Sequence, residues 1–295
     1  MTMEGVAERI AWPEEADAAE RPRRRWLPFS PWHLVLFPLA LIMLLPLLWM
    51  IVTSLETQAE SLHFPPVLVP GSLHFGNYPS ALRSAPFGRW FLNTFIVTST
   101  VVVSNLLLCS LAGYAFARIR FFGRAATFML LLATLMVPFQ VVMIPTFLIV
   151  KKLGLFDSLP ALIAPNLVSA FGIFMLRQFF RTLPVELEEA ARIDGASRLG
   201  VLFKIVLPLS LPALATLAVI QFMWTWNDFL WPLIAVFSQR NFTLQLGLTV
   251  FQGSHDVFWP LVMAGNVMSM IPMLVLFFAA QRYFVRGIAT TGLKG

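Results

Sequence analysis

The sequence predicts an all-α membrane protein with six transmembrane helices, and three observations carry that expectation. The 295 residues are 58% hydrophobic and only 12% charged, with a mean hydropathy of +0.77. An average soluble domain is less than half apolar and about a quarter charged. An ordinary cytosolic enzyme is therefore excluded, and so is a disordered chain, which needs low hydrophobicity and high net charge. The apolar residues also fall in long unbroken runs, unlike the weak alternation of a β-barrel. Finally, six runs free of Asp, Glu, Lys and Arg reach the roughly 20 residues that cross a hydrocarbon core of about 30 Å.

In chain order the spans lie near residues 32–55, 90–117, 125–150, 158–176, 205–235 and 257–281. The fifth contains the charge-free stretch Ile205–Asn227 and continues through Pro232. The uncharged stretch from Asn241 to His255 is too short to span and carries several amides, so it reads as a loop or surface helix. Residues 1–30 form a polar tail, acidic at Glu14, Glu15 and Asp17 and basic at Arg21 and Arg23–Arg25. It reads as cytoplasmic and disordered, and the apolar run after it has no small-residue cleavage site, so the first helix is expected to stay attached. The transmembrane domain is expected over 31–286, with a cytoplasmic C-terminal tail over 287–295.

Six crossings place both termini on one side. With both inside, the inner segments hold 16 of the 21 basic residues and the outer segments 5, so the positive-inside rule selects N-in and C-in. The formal charge of +6 is explained by this orientation, and no nucleic-acid partner is expected. The single cysteine, Cys109, excludes a disulfide within the chain. The four histidines show no metal-ligand spacing, and no metal site is expected.

Two loops are long. Glu56–Arg89, rich in Pro and Gly, reads as an ordered extracytoplasmic loop. Arg177–Lys204 is cytoplasmic and contains two helix signals. Pro184 suits a first turn, Glu186, Glu188 and Glu189 suit the positive end of a helix dipole, and Glu188 and Arg192 have the spacing of an i,i+4 pair. Gly195 can take the left-handed conformation that ends a helix, and Ser197 can cap a second one leading to Pro208.

Here the residues carry a resemblance. Glu189-Ala190-Ala191, then Gly195, then Ile205, Leu207 and Pro208 reproduce the EAA loop at residues 182–208, and Asp194 before Gly195 is also typical. The stretch resembles the coupling loop of bacterial ABC importer permeases. TWNDFLWPL at Thr225–Leu233, NYPSAL from Asn77, NTFIVT from Asn93, YAFARIRF from Tyr114 and the ending from Gln281 are similar to the carbohydrate (maltose-type) branch, to subunits with a cytoplasmic C-terminal tail. The likeness runs from about residue 30 to 295.

The resemblance implies the type I ABC importer permease fold with a cytoplasmic EAA coupling helix pair, in a bacterial inner or plasma membrane. It implies a sugar permease that forms half of a translocation path with a second, related permease. Two ATP-binding subunits would bind ATP and Mg, and an extracytoplasmic sugar-binding protein would deliver the substrate. The chain itself is expected to be no enzyme and to hold no cofactor. It has no phosphate loop, the pattern of two glycines with four residues between them followed by Lys and Ser or Thr. Glu189, Ala190, Ala191, Asp194 and Gly195 would meet the ATPase subunit, and Gly292, Lys294 and Gly295 are tail residues that could reach it.

Asp228 interrupts an apolar run, and an intramembrane acid must face the bundle interior, water or an interface. Asn227, Asp228, Trp224 and Asn93 are the candidate substrate-path residues. Helix–helix hydrogen bonding is the default for Asn93, Gln140, Asn166, Gln221 and Asn266. Gly113 and Ala117 have the spacing that lets helices approach closely. A permease for glycerol 3-phosphate or another polyol is the alternative within the class. No Arg or Lys lies within the spans, which favours a neutral sugar. A gradient-driven secondary transporter is the alternative of another class, but the EAA loop would then be unexplained.

Overall fold

The computed structural model describes residues 32–65, 69–252 and 257–291, with side chains in the last segment as far as Gln281. The chain divides into two units, residues 1–47 and 48–295. The first is described from Trp32 and consists of the start of α1 (His33–Ser54), which contains Pro38 and Pro46 and bears exposed Leu34, Phe37, Ile42 and Met43. All other elements belong to the second unit.

The loop after α1 is ordered by its own polar groups. In α2 (Gln58–Ser61), Thr57 and Glu60 cap each other reciprocally. The Asn77 amide at the start of α3 (Asn77–Ser84) donates to the carbonyls of Ser54 and Glu56, both at 2.9 Å. The long α4 (Phe87–Arg118) follows.

The third predicted span is two helices, α5 (Arg124–Thr134) and α6 (Phe139–Lys152), bent by 101° at Leu135–Pro138. The fourth is α7 (Leu159–Ile163), a 3-10 turn at Ala164–Asn166, and α8 (Ala170–Thr182), bent by 41°. Then come α9 (Val185–Ile193) and α10 (Arg198–Val201), which runs through a π-helical turn at Leu202–Val206 into α11 (Leu207–Leu209). An 81° bend at Ser210 separates that rod from α12 (Leu211–Trp226). After a break come α13 (Leu230–Ala235), α14 (Leu244–Leu248) and α15 (Trp259–Thr291).

Three helices are long and apolar enough to cross a membrane, and up to six spans result if each bent pair counts as one. Among the described residues there is no named strand, only an isolated bridge between Gln252 and Val257. The six apolar runs are thus present, but three are interrupted. The breaks fall at Leu135–Pro138, at Leu167–Ser169, and in the fifth run at Ser210 and at Asn227–Phe229, which hydropathy alone does not register.

The centre of the second unit is α4. It runs alongside α8 in the same direction, with Asn105 opposite Asn166, Cys109 opposite Ser169 and Gly113 opposite Leu176. A Cβ on Gly113 would lie 3.2 Å from both the Arg177 nitrogen and the Leu176 Cβ, so the small residue sets the helix spacing, as predicted. Cys109, Ile173, Leu176, Phe180, Val201, Leu202 and Leu217 form one apolar cluster here.

Two further clusters sit toward the other end of α4, around Val101, Leu162 and Trp231, and around Trp90, Trp226 and Leu248. The segment 241–252 differs from expectation. Its α14 is no surface helix: Leu244, Leu246 and Leu248 are buried, and Leu244 and Leu248 pack into the cluster that holds Trp90 and Phe251. Asn241 is held by Asp157 and Thr249 by the Leu246 carbonyl.

Candidate functional site

The three helix interruptions converge. Where α6 begins, where the 3-10 turn precedes α8, and where α12 gives way to α13, a cavity of about 340 Å³ opens. Phe139, Asn166 and Ser169 line one side; Gln221, Trp224, Thr225, Asp228 and Trp231 line the other. Irregular backbone at membrane depth is tolerated where it is buried in protein or lines a water-filled space, which accounts for the breaks meeting here.

The lining is polar in a specific way. Asp228 accepts a long bond, 3.3 Å, from the Trp231 amide, and the Leu230 amide also faces its carboxylate. Gln221 is 6% exposed; its amide nitrogen reaches Thr225 Oγ1 at 3.5 Å, and its Oε1 has no hydrogen-bond partner among the described residues. A buried unsatisfied amide oxygen costs roughly 1–3 kcal/mol, and Oε1 is itself shielded from the cavity by the surrounding atoms. Trp224 is 54% exposed, and its ring meets Phe171 edge-on with centroids 5.3 Å apart. Among the described residues lining the cavity, none is Lys or Arg.

Of the four predicted path residues, the structure brings Trp224 and Asp228 together here. Asn227 lies next door but faces elsewhere. Its amide donates to the Met223 carbonyl at 2.9 Å and to Met273 Sδ at 3.4 Å, and its oxygen accepts from Gln245. Asn93 is a correction. Buried at 6% exposure, it donates to the Arg240 and Phe242 carbonyls at 2.8 and 2.9 Å and so holds the 239–242 segment. Both its amide hydrogens are used in that way.

Gln221 and Asn166 were readable from sequence only as helix–helix glue, and the amide of Asn266 donates instead to the Val262 carbonyl within its own helix. Thr225 and Trp231 lie in the TWNDFLWPL stretch that carried the resemblance, whereas Ser169 and Phe139 gave no sequence signal. They become lining residues because of backbone breaks.

The second part of the site is the α9–α10 pair. Gly195 has φ of +85° and turns the chain between the two helices, and Ser197 Oγ accepts from the Gly200 amide as a cap, both as expected. Glu189, Ala190, Asp194 and Gly195 are exposed, and Ala191 is half-buried against the α4–α8 cluster. Ile193 is 86% exposed, and Leu199 and Phe203 are also open.

Glu188 departs from the expected i,i+4 pair with Arg192. It turns inward, and its carboxylate accepts from Arg118 Nε at 2.6 Å and from the Tyr114 hydroxyl at 3.0 Å. Two donors from α4 outcompete one exposed guanidinium on the same helix, because exposed ion pairs contribute little. Gly292, Lys294 and Gly295, and the tail at 1–30, lie outside the described residues.

A family described as "binding-protein-dependent transport system inner membrane component" matches residues 106–290. The chain belongs to this family. It is a helical inner-membrane transport component of the binding-protein-dependent kind. It is 37% identical over 278 residues to the arabinooligosaccharides transport system permease protein AraQ of Halalkalibacterium halodurans, covering 92% of this chain and 100% of that one. It is also 37% identical over 264 residues to the sn-glycerol-3-phosphate transport system permease protein UgpE of Pectobacterium atrosepticum, covering 87% and 94%. In three dimensions it matches a chain of a bacterial ABC transporter involved in import of the acidic polysaccharide alginate. There the TM-score is 0.77 and the identity 26%, over 87% of this chain and 99% of that one.

Proposed function

We propose that this permease imports a neutral sugar through an ATP-driven complex in which it forms half of the translocation path. The observation that carries the reading is the cavity at the three helix breaks. It presents a carboxylate, side-chain amides, hydroxyls and aromatic faces, and none of its described lining residues is cationic. Acceptors of this kind receive sugar hydroxyls, and Trp224 offers an apolar face for a pyranose or furanose ring. A phosphorylated polyol would bring negative charge against Asp228 with no cation on this side to offset it, so the neutral sugar is favoured over glycerol 3-phosphate.

The rest of the assembly follows from family membership and from exposed surface. A second, related permease would complete the path. An extracytoplasmic sugar-binding protein would deliver substrate at the end bearing the 56–89 loop. Two ATP-binding subunits, carrying ATP and Mg, would dock at the α9–α10 pair. That pair leaves Ile193, Leu199 and Phe203 exposed beside Glu189, Ala190 and Asp194, an apolar and acidic surface suited to a protein partner. The arginine-rich end is cytoplasmic in this reading, giving N-in and C-in in a bacterial inner or plasma membrane. Closure of the ATPase dimer moves the helix pair, and the path switches between inward and outward access. No covalent chemistry takes place on this chain. The C-terminal tail residues Gly292, Lys294 and Gly295 are assigned to the ATPase-facing side.

The test is the ATPase activity of the reconstituted four-component complex across a panel of sugars, with and without Glu189→Ala. Stimulation by one loaded binding protein, lost in the variant at normal membrane abundance, is the expected result. Uptake that proceeds without an ATPase subunit would overturn the reading.

A further inference from the structure

Glu188 and Glu189 are neighbours with opposite fates. One turns into the protein and the other faces outward, as a helical step of about 100° requires. The buried one is held on both oxygens. Arg118 Nε donates to Oε1 at 2.6 Å, and the Tyr114 hydroxyl donates to Oε2 at 3.0 Å. The same guanidinium donates through a terminal nitrogen to the Leu183 carbonyl at 2.7 Å, at the corner where α8 becomes α9. A single side chain at the end of α4 therefore grips both the corner and the helix beyond it. Glu188 is 7% exposed and Tyr114 6%, so this contact is shielded from water and from salt.

The other end of the connection is the cavity. Thirteen residues back along α4 from Arg118, about 20 Å at helical rise, Asn105 donates to the Asn166 carbonyl at 2.7 Å. One turn further on, the Cys109 thiol lies 3.5 Å from the Ser169 carbonyl. Asn166 and Ser169 both line the cavity. Between these points Gly113 keeps α4 and α8 in close contact. The α9 helix, the α4 rod and the cavity wall are thus joined by an unbroken chain of packed and hydrogen-bonded groups.

We infer that Glu188, Arg118 and Tyr114 form a latch that fixes α9 to the end of α4, so that displacement of the helix pair is delivered to the cavity wall. This rests on the importer reading above. Glu188 and Arg118 are positioning residues that touch neither substrate nor nucleotide. A buried ion pair is a poor device for stability alone, since an apolar replacement often serves as well. What the pair supplies is a fixed angle with directional bonds.

The experiment measures sugar carried per ATP hydrolysed in liposomes holding the complete complex with its binding protein. Glu188→Gln, Arg118→Lys and Tyr114→Phe are compared with the exchange of Glu188→Arg with Arg118→Glu. In Glu188→Gln and Arg118→Lys the ratio is expected to fall about tenfold, the size of effect for coupled buried polar groups. Tyr114→Phe falls less, and the exchange recovers more than either of its single changes. A wild-type ratio in assembled Glu188→Gln complex overturns the latch. If Glu188→Gln fails to assemble, Tyr114→Phe decides, because it deletes one hydroxyl and keeps the ring; a wild-type ratio there shows a purely structural contact and overturns it too. Absence of ATP-dependent uptake by the wild-type complex would instead overturn the importer reading.

Discussion

At the residue scale the most informative groups are those whose polar capacity is left over or heavily used. Gln221, which lines the cavity, holds a buried unsatisfied oxygen. Gln221→Leu removes it at similar volume, so the assembled complex is expected to gain about 1 kcal/mol of stability while sugar uptake falls. Thermal unfolding in detergent and vesicle uptake check the two arms. Equal uptake with unchanged stability would show that the amide is idle.

Asp157 is the opposite case. It sits at φ of +56°, and its carboxylate accepts from the Phe237 and Ser238 amides at 2.9 Å, from the Ser238 hydroxyl and from the Asn241 amide. Desolvation alone would raise its pKa, but these bonds outweigh it and hold the group well below the ordinary carboxylate range. A depressed pKa stabilises the fold above the unfolded value, about 4, and that contribution fades only as pH falls toward the lower folded value. Asp157→Ala should therefore cost about 1–2 kcal/mol, with a gap in Tm that stays constant from about pH 5 to 8 and narrows only in stronger acid.

At the scale of elements, the α4–α8 contact is the spine. Gly113→Val places a branched side chain against Arg177 and Leu176 backbone and Cβ atoms at about 3.2 Å. Overpacking of this kind costs roughly 1–3 kcal/mol, and a lower yield of assembled complex on size exclusion is the expected outcome. The existence and approximate limits of the apolar helices were legible in sequence, because hydropathy sums over 20 residues and tolerates local error. Their breaks were not. Pro145 and Pro272 sit inside continuous helices while Pro138 marks a 101° bend, so proline alone does not predict which helix yields.

The turn at Gly195 and the cap at Ser197 were legible because local backbone chemistry decides them. The partner of Glu188 was not, since Arg118 is 70 residues away and only the tertiary fold brings it within reach. The cavity was half legible. Trp224 and Asp228 stood out as anomalies in an apolar run, whereas Gln221, Asn166 and Ser169 became lining residues only once the breaks brought them together.

For the whole molecule, orientation is the claim most directly open to measurement. In a Cys109→Ala background, cysteines placed at Ser72 and Ile193, both exposed, should react with an impermeant thiol reagent from opposite faces. Ser72 is expected to label in intact cells and Ile193 only after the membrane is opened. Labelling of Ile193 in intact cells with Ser72 protected would reverse the topology and the assignment of the ATPase face with it, and labelling of both from one side would refute the opposite-face arrangement.

The 81° bend at Ser210 has a mechanical meaning of its own. One arm, Arg198–Leu209, is about 18 Å long, and the other, Leu211–Trp226, about 24 Å. A rigid elbow with such arms is a bell crank: a push on the short arm emerges nearly at right angles at the end of the long one, enlarged by about a third. Trp224 and Thr225 ride near that far end, so a shift of about 3 Å where ATPase subunits would press becomes about 3.5 Å at the cavity wall.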